Sequence, residues 1–139
     1  MTIDELHRLW DSKNKPRAGN KGKASSSEHD LQTACVNWFR MQYREYAHLL
    51  IAIPNGGQRD VRVARKLKAE GVVAGVPDLF LAVARGQSHG LWIEMKNGKA
   101  GRVSEHQHYM LDALARQGYK GMVCRTFDEF RDKVQNYLS

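Results

Sequence analysis

The feature that most constrains the fold is a pair of short apolar segments on either side of a turn-forming loop. Residues 78–83 read DLFLAV, residues 91–96 read LWIEMK, and the loop 84–90 separates them. Segments of this kind are typical of paired strands, so we predict a β-hairpin. Successive side chains of a strand point to opposite faces. One face of the hairpin is therefore apolar throughout, and we expect it in the core: Leu79, Leu81, Val83, Leu91, Ile93 and Met95.

The other face of the predicted hairpin gathers charged residues at one end. If the hairpin is symmetric about Gly86, Asp78 lies opposite Glu94, with Cβ atoms ~4.5–5.5 Å apart. Lys96 lies two residues beyond Glu94 and points to the same face. Two close carboxylates repel each other unless a cation lies between them, and Mg²⁺ prefers such oxygen ligands.

These three residues are the parts needed for phosphodiester hydrolysis. Lys96 would orient or deprotonate the attacking water, or stabilise charge on the phosphate. The alternative without a catalytic function is a network of ion pairs at the surface. Solvated charges are not expected inside an apolar strand such as the one around Glu94, which favours the catalytic interpretation.

The rest of the chain alternates helical and strand patterns. Apolar residues at helical spacing predict helices over 27–46, 61–71, 104–118 and 127–138. Short apolar runs predict two further strands, over 48–53 and 119–124. This order of elements predicts an α/β fold in which a mixed β-sheet is flanked by helices.

Length and charge define the organisation and the class of partner. The 139 residues fit one domain, which we place at 27–139, after a flexible basic arm at 1–26 rich in Lys, Gly and Ser. Lys and Arg number 22 and Asp and Glu 15, a net charge of +7 that suggests a nucleic-acid partner. We find no secretory signal and no run near the ~20 apolar residues of a membrane span, and two cysteines are too few for a disulfide framework. We therefore expect a cytoplasmic protein.

Five motifs in one order carry a family resemblance: Pro54-Asn-Gly-Gly57, Leu67-Lys-Ala-Glu-Gly71, Gly75-Val-Pro-Asp78, Glu94-x-Lys96 and Ser104-Glu-His-Gln107. Over about residues 27–128 the chain resembles the VRR-NUC family of the PD-(D/E)xK nuclease superfamily, in its virus-type stand-alone form. The resemblance implies a restriction-endonuclease-like PD-(D/E)xK core. Members often have a proline between the serine and the glutamate of the last motif, whereas Glu105 follows Ser104 directly here.

The resemblance also implies roles for individual residues. Asp78 and Glu94 would bind Mg²⁺, or Mn²⁺ as a substitute, with the main-chain carbonyl of Met95 as a third ligand, and Lys96 would be the catalytic lysine. Glu28 matches the helix carboxylate of the family and would reach the metal or its water. Gln107 matches the family's glutamine and would contact the water or a phosphate. Without the resemblance, Glu28 is an acid favoured by the helix dipole and Gln107 is an exposed polar residue of a first helical turn.

Together these features predict a metal-dependent, structure-selective DNA endonuclease. Its most specific form is a Holliday-junction resolvase, because the resemblance includes virus-encoded domains similar to such enzymes; its location would then be the host-cell cytoplasm. The alternative is a non-catalytic nucleic-acid-binding module with the same fold. The intact Asp78, Glu94 and Lys96 argue against it, because a degenerate site usually loses one of the three.

The expected partners are branched DNA and a second copy of the chain. Paired cuts in two strands need two sites related by a two-fold axis, so we predict a homodimer, with apolar positions of 38–46 and 127–138 as its surface. The loop and helix after Pro54, with a lysine beyond Lys96, are predicted to contact DNA through Asn55, Arg59, Arg62, Arg65, Lys66, Lys68 and Lys99.

Overall fold

The computed structural model describes Thr2, residues 27–54 and residues 60–139. The predicted basic arm, Thr2 apart, and the predicted DNA contacts Asn55 and Arg59 lie outside the described residues. In chain order the elements are helix α1 (Glu28–Gln42), a 3₁₀ helix (Arg44–Leu49), strand β1 (Leu50–Ala52), helix α2 (Val61–Ala69), strands β2 (Leu79–Leu81) and β3 (Leu91–Met95), helix α3 (Glu105–Arg116), strand β4 (Lys120–Cys124) and helix α4 (Phe127–Leu138). Within these ranges no helix has the length and apolarity that crossing a bilayer requires.

The four strands form one sheet in the order β1-β2-β3-β4. The first three are antiparallel neighbours and β4 runs parallel to β3, which makes the sheet mixed. Helices flank it, so the predicted α/β fold class is confirmed. The hairpin register is also the predicted one, because Leu79 pairs with Ile93 and Leu81 with Leu91. Asp78, one residue before β2, therefore faces Glu94.

The predicted apolar face of the hairpin is the core of the protein. All six of its residues are buried. Helices α1 and α4 contribute to the same cluster, through Cys35 and Phe39 from α1 and Phe130 and Val134 from α4. Full burial of one such aliphatic or aromatic side chain contributes about 1.5–3 kcal/mol, so this layer fixes the hairpin firmly and with it the end that carries the charges.

The first long helix is shorter than predicted. It ends at Gln42 rather than near Tyr46, and Arg44–Leu49 form the 3₁₀ helix that leads into β1. Tyr43 has left the helical conformation, and its ring packs against Phe39 and Trp38 at centroid distances of 5.2 and 5.9 Å. Apolar spacing continues through this change because a 3₁₀ turn also repeats every three residues.

Part of the predicted dimer surface packs within the chain. Trp38 of α1 meets Phe127 and Phe130 of α4 edge to face, at centroid distances of 6.1 and 6.2 Å. Met41, in the same predicted surface, is 80% exposed. The predicted surface and the dimer itself both stay predictions.

The loop before β2 is fitted closely to α3 at Gly75. This glycine has φ of +85°, and a Cβ placed on it would lie 2.5 Å from the main-chain oxygen of His106. Only glycine combines that conformation with that approach. Pro77 behind it is fully buried. The start of β2, and Asp78 with it, is thus fixed against the first turn of α3.

Candidate active site

Asp78 is held at the end of the hairpin by the backbone of the opposite strand. The Met95 N–H donates a hydrogen bond of 2.7 Å to Asp78 Oδ2. A strand residue directs its N–H and its C=O to the same edge, so the Met95 carbonyl lies on the edge that Asp78 occupies. The carboxylate and the carbonyl predicted to share a metal are therefore on the same side of β3.

Glu94 is the only buried charged side chain among residues 27–54 and 60–139, with 1% of its surface exposed. Its Oε1 accepts a hydrogen bond of 2.8 Å from Gln107 Nε2 and lies 3.6 Å from Lys96 Nζ. No donor in the described part of the chain reaches the buried Oε2. A buried polar atom without a partner is unfavourable by about 1–3 kcal/mol, and more for a charged group. This oxygen therefore needs a proton or a cation.

The electrostatics of the site lead to the same requirement. The pKa of Glu94 is raised to about 8, with burial as the largest cause. Charge repulsion from Asp78 and the hydrogen bond that a protonated Glu94 makes to it contribute to this rise, and Lys96 opposes it. The two carboxyl groups are thus too close for both to be ionised without compensation.

Lys96 sits beside Glu94 in a largely enclosed position. The main-chain N–H of Lys96 donates to the Cys124 carbonyl at 2.9 Å and extends the pairing of β3 with β4 by one residue. Its side chain is 12% exposed, and the ammonium is the one cation within 4 Å of Glu94 among the residues described. The predicted grouping of Asp78, Glu94 and Lys96 on one face of the hairpin therefore agrees with the structure.

Glu28 reaches the site from the beginning of α1. Ser27 caps that helix, and Glu28 lies in its first turn. Burial and the charge of Asp78 raise the pKa of Glu28, while Lys96 lowers it. The Glu28 carboxylate is therefore close enough to Asp78 and Lys96 for their charges to change its pKa. A role limited to the helix dipole would not require this proximity.

Gln107 links the start of α3 to Glu94. Its Oε1 accepts from the Ser104 N–H at 2.9 Å, which closes a capping box, and its Nε2 donates to Glu94 Oε1. The structure thus gives Gln107 a positioning role that sequence reasoning missed, although the Ser-x-x-Gln pattern of a capping box was visible. A contact of Gln107 with water or phosphate stays a prediction.

The two functions of Gln107 are separable by mutation. In Q107E the new carboxylate can still accept from the Ser104 N–H, since glutamate serves equally in a capping box. It places a negative charge against Glu94, however, and we expect a loss of about 10- to 100-fold in activity or metal affinity, as for other residues that orient a metal ligand. Thermal unfolding and DNA cleavage measure the two effects. The matched control is Q117A at the exposed end of α3, and a Q107E protein of wild-type activity would contradict the assignment.

The donor set fits a hard divalent cation. Asp78, Glu94 and the Met95 carbonyl offer oxygen atoms, the ligands that Mg²⁺ and Mn²⁺ prefer. The Glu94 oxygen without a donor is the observation that carries this assignment. In the described ranges no three His, Cys, Asp or Glu side chains are grouped so that they could hold a metal ion. A metal here would therefore depend on the carbonyl and on water as well as on the carboxylates.

The predicted DNA-binding residues that the structure describes are all exposed. Arg62, Arg65, Lys66 and Lys68 lie on α2, whose first turn is capped by Asp60 through a 2.8 Å bond from the Arg62 N–H. Lys99 lies in the turn that follows Lys96. These side chains are free to meet a phosphate backbone in solution.

The comparisons with known proteins agree with this fold. The family model of the VRR-NUC domain matches residues 18–128. A solved structure of a VRR-NUC domain protein is similar to this chain, with a TM-score of 0.71 and 30% sequence identity, over 81% of this chain and 88% of that chain. No curated protein matches the sequence significantly.

The family match places the chain, with its mixed α/β fold, in a nuclease-type class of protein. The chain belongs to the VRR-NUC domain family. Membership supports a nuclease-like function with DNA as the substrate.

Proposed function

We propose that this protein is a Mg²⁺-dependent endonuclease that hydrolyses phosphodiester bonds in branched DNA, with Mn²⁺ able to replace Mg²⁺. The observation that carries the proposal is the buried Glu94 carboxylate, which has an oxygen without a donor beside Asp78 and Lys96. An ion network without a function would be expected at the surface, where both partners keep their water.

Asp78, Glu94 and the Met95 carbonyl would hold the ion. When bound, Mg²⁺ polarises the phosphate and makes water a stronger nucleophile near neutral pH. Asp78 is oriented for this by the Met95 N–H, and Glu94 by Gln107. The chain thus fixes both carboxylates before any ligand arrives, which reduces the reorganisation that the reaction requires.

Lys96 and Glu28 would act on water and phosphate around these ligands. The Lys96 ammonium has three donors, and its enclosed position strengthens its interaction with developing negative charge. The Glu28 carboxylate approaches from α1 and would accept a hydrogen bond from the attacking water. Asp78, Glu94, Lys96, Gln107 and Glu28 together would form the catalytic group.

DNA affinity is proposed to depend on the basic helix α2 and on Lys99. If about five phosphates are neutralised, log K falls with log salt concentration at a slope of roughly −4 to −5. R65A should weaken binding to every DNA sequence and lower the slope by about 1. R131A is the matched control, because Arg131 is a half-buried arginine on α4 that is already paired with Asp128 and Asp132. Fluorescence anisotropy in a salt series measures the slope, and affinity independent of salt would contradict the proposal.

The preference for branched DNA rests on a proposed homodimer. One site cuts one strand in each binding event, so symmetric cuts across a junction require two sites related by a two-fold axis. Light scattering gives the oligomeric state of the DNA-free protein. Mixing wild-type with D78N protein should yield single nicks from heterodimers, and a monomer that prefers linear single strands would contradict this part of the proposal.

A cleavage assay with a panel of substrates tests the proposed function and separates it from the binding-module alternative. Supercoiled plasmid, a four-way junction and the matching linear duplex are incubated with Mg²⁺, with Mn²⁺, and with a chelator. We expect nicking that needs the metal and favours the junction. Tight binding to the junction with no cleavage under any metal would instead identify a non-catalytic module.

A further inference from the structure

The turn that follows Lys96 is fastened by one arginine at the end of β4. Arg125 Nη1 donates to the main-chain carbonyl of Gly98 at 3.0 Å and also to that of Gly101. The Gly98 N–H in return donates to the Arg125 carbonyl at 3.2 Å. Both ends of the turn 98–101 are therefore attached to the same residue. Hydrogen bonds with a charged donor are among the stronger ones in proteins.

The fastened turn lies directly on the side chain of Lys96. A Cβ placed on Gly101 would be 3.2 Å from Lys96 Cβ and 3.4 Å from Lys96 Cδ. Gly98, with φ of +63°, allows the tight reversal that brings Gly101 back to this position. The turn thus packs along the aliphatic part of the Lys96 side chain.

This packing confines the Lys96 side chain, which is otherwise a flexible four-carbon stem. The position of its ammonium is defined only if the stem is confined. With the stem against the turn, Lys96 Nζ lies 3.6 Å from Glu94 Oε1. If the turn moved away, the stem would gain other rotamers, and the ammonium would leave the carboxylates for part of the time.

We infer that Arg125 is a positioning residue for Lys96, acting through the turn 98–101. The inference rests on the proposed function, since it assigns a role to the machinery of that same site. Both bonds come from Arg125 Nη1. Lysine in this position would keep the charge, but its ammonium is one bond nearer the main chain than Nη1, so it would not reach both carbonyls.

Three variants and two readouts test the inference. R125K and R125M release the turn, and G101A presses a methyl group onto the Lys96 stem while leaving Arg125 intact. The first readout is cleavage kinetics beside DNA affinity measured without metal. The second is the rate at which Lys96 is reductively methylated, followed by mass spectrometry, which does not depend on activity. R116M is the matched control, because Arg116 also donates to a main-chain carbonyl, that of Asp112, but on the exposed surface of α3.

We expect R125K and R125M to lower kcat by about 10- to 100-fold, the effect of misplacing a catalytic group by about 1 Å. DNA affinity should fall much less than kcat, since Lys99 is the one proposed DNA contact on the released turn and the contacts of α2 are left intact, and Lys96 should be methylated several times faster. G101A should lower kcat without changing affinity. R116M should match wild type in every readout.

Several results would overturn the inference. An affinity loss in R125M as large as its loss of kcat would mean that Arg125, or Lys99 on the turn it holds, acts on DNA binding rather than on Lys96. Unchanged cleavage with an unchanged methylation rate would mean that the turn does not position Lys96. If R125M does not fold, R125K and G101A decide by the same criteria. If wild-type protein does not cleave DNA, the proposed function fails, yet faster methylation of Lys96 in R125K would support the inference and an unchanged rate would overturn it.

Discussion

Asparagine in place of Asp78 is expected to reduce DNA cleavage by about 10³-fold or more. The amide can still accept the hydrogen bond from the Met95 N–H, so the hairpin end keeps its structure. It cannot supply the negative charge that a divalent cation requires, and loss of a metal ion's charge stabilisation is worth several kcal/mol, about a factor of ten for each 1.36 kcal/mol. Single-turnover cleavage at saturating Mg²⁺ measures the effect.

DNA affinity should behave differently from cleavage in D78N. Removal of a negative charge cannot weaken attraction to a phosphate backbone, so the dissociation constant should be unchanged or slightly lower. D112N, on the exposed side of α3, is the matched control and should cleave normally. A D78N protein that cleaves at the wild-type rate would show that the site is not where we place it.

Glutamine in place of Glu94 is expected to stabilise the metal-free protein while abolishing cleavage. The pKa of Glu94 is raised to about 8, with burial as the largest cause, against an ordinary value of 4.5. The folded protein therefore retains a proton that the unfolded chain has released between these two pH values. Stability from this proton is complete below pH 4.5 and is lost as the pH rises through about 8. E94Q has no such proton to lose.

The measurable result is a difference in melting temperature that depends on pH. Without metal, E94Q and wild type should melt at similar temperatures at pH 5, whereas at pH 8.5 E94Q should melt roughly 5–10 °C higher, for a gain on the order of 2 kcal/mol. Saturating Mg²⁺ should stabilise wild type alone, because only wild type binds the ion. The difference in melting temperature between E94Q and wild type should then decrease or change sign. E70Q, at the exposed end of α2, is the control. If the melting temperatures of E94Q and wild type depended on pH in the same way, Glu94 would not be the buried carboxyl group whose pKa is raised.

The hairpin was predictable because three local signals agreed. Alternation of apolar residues defined the buried face, and Gly86 centred the loop. A register shifted by one residue would turn the apolar residues of one strand to the other face, so that Leu79 and Ile93 would no longer share the core face. The facing of Asp78 and Glu94 followed from that register.

What sequence reasoning missed depends on contacts between distant elements. Helical spacing shows that the Trp38 face of α1 is apolar but not which partner covers it; in the structure Phe127 and Phe130 of α4 cover part of Trp38. The end of α1 was misplaced because Tyr43 leaves the helix for aromatic packing that no local propensity records. The bond of Gln107 to Glu94 required knowledge that α3 begins beside β3.

The most direct test of the central claim is to locate the metal. Crystals of the wild-type protein soaked in Mn²⁺ and measured at a wavelength near its absorption edge give the ion's position from anomalous scattering. The account predicts a peak within coordination distance of the Asp78 and Glu94 carboxylates and the Met95 carbonyl, and its loss in D78N. A protein that cleaves DNA with Mn²⁺ but shows its anomalous peak away from these three residues, or none near them at saturating Mn²⁺, would contradict the account.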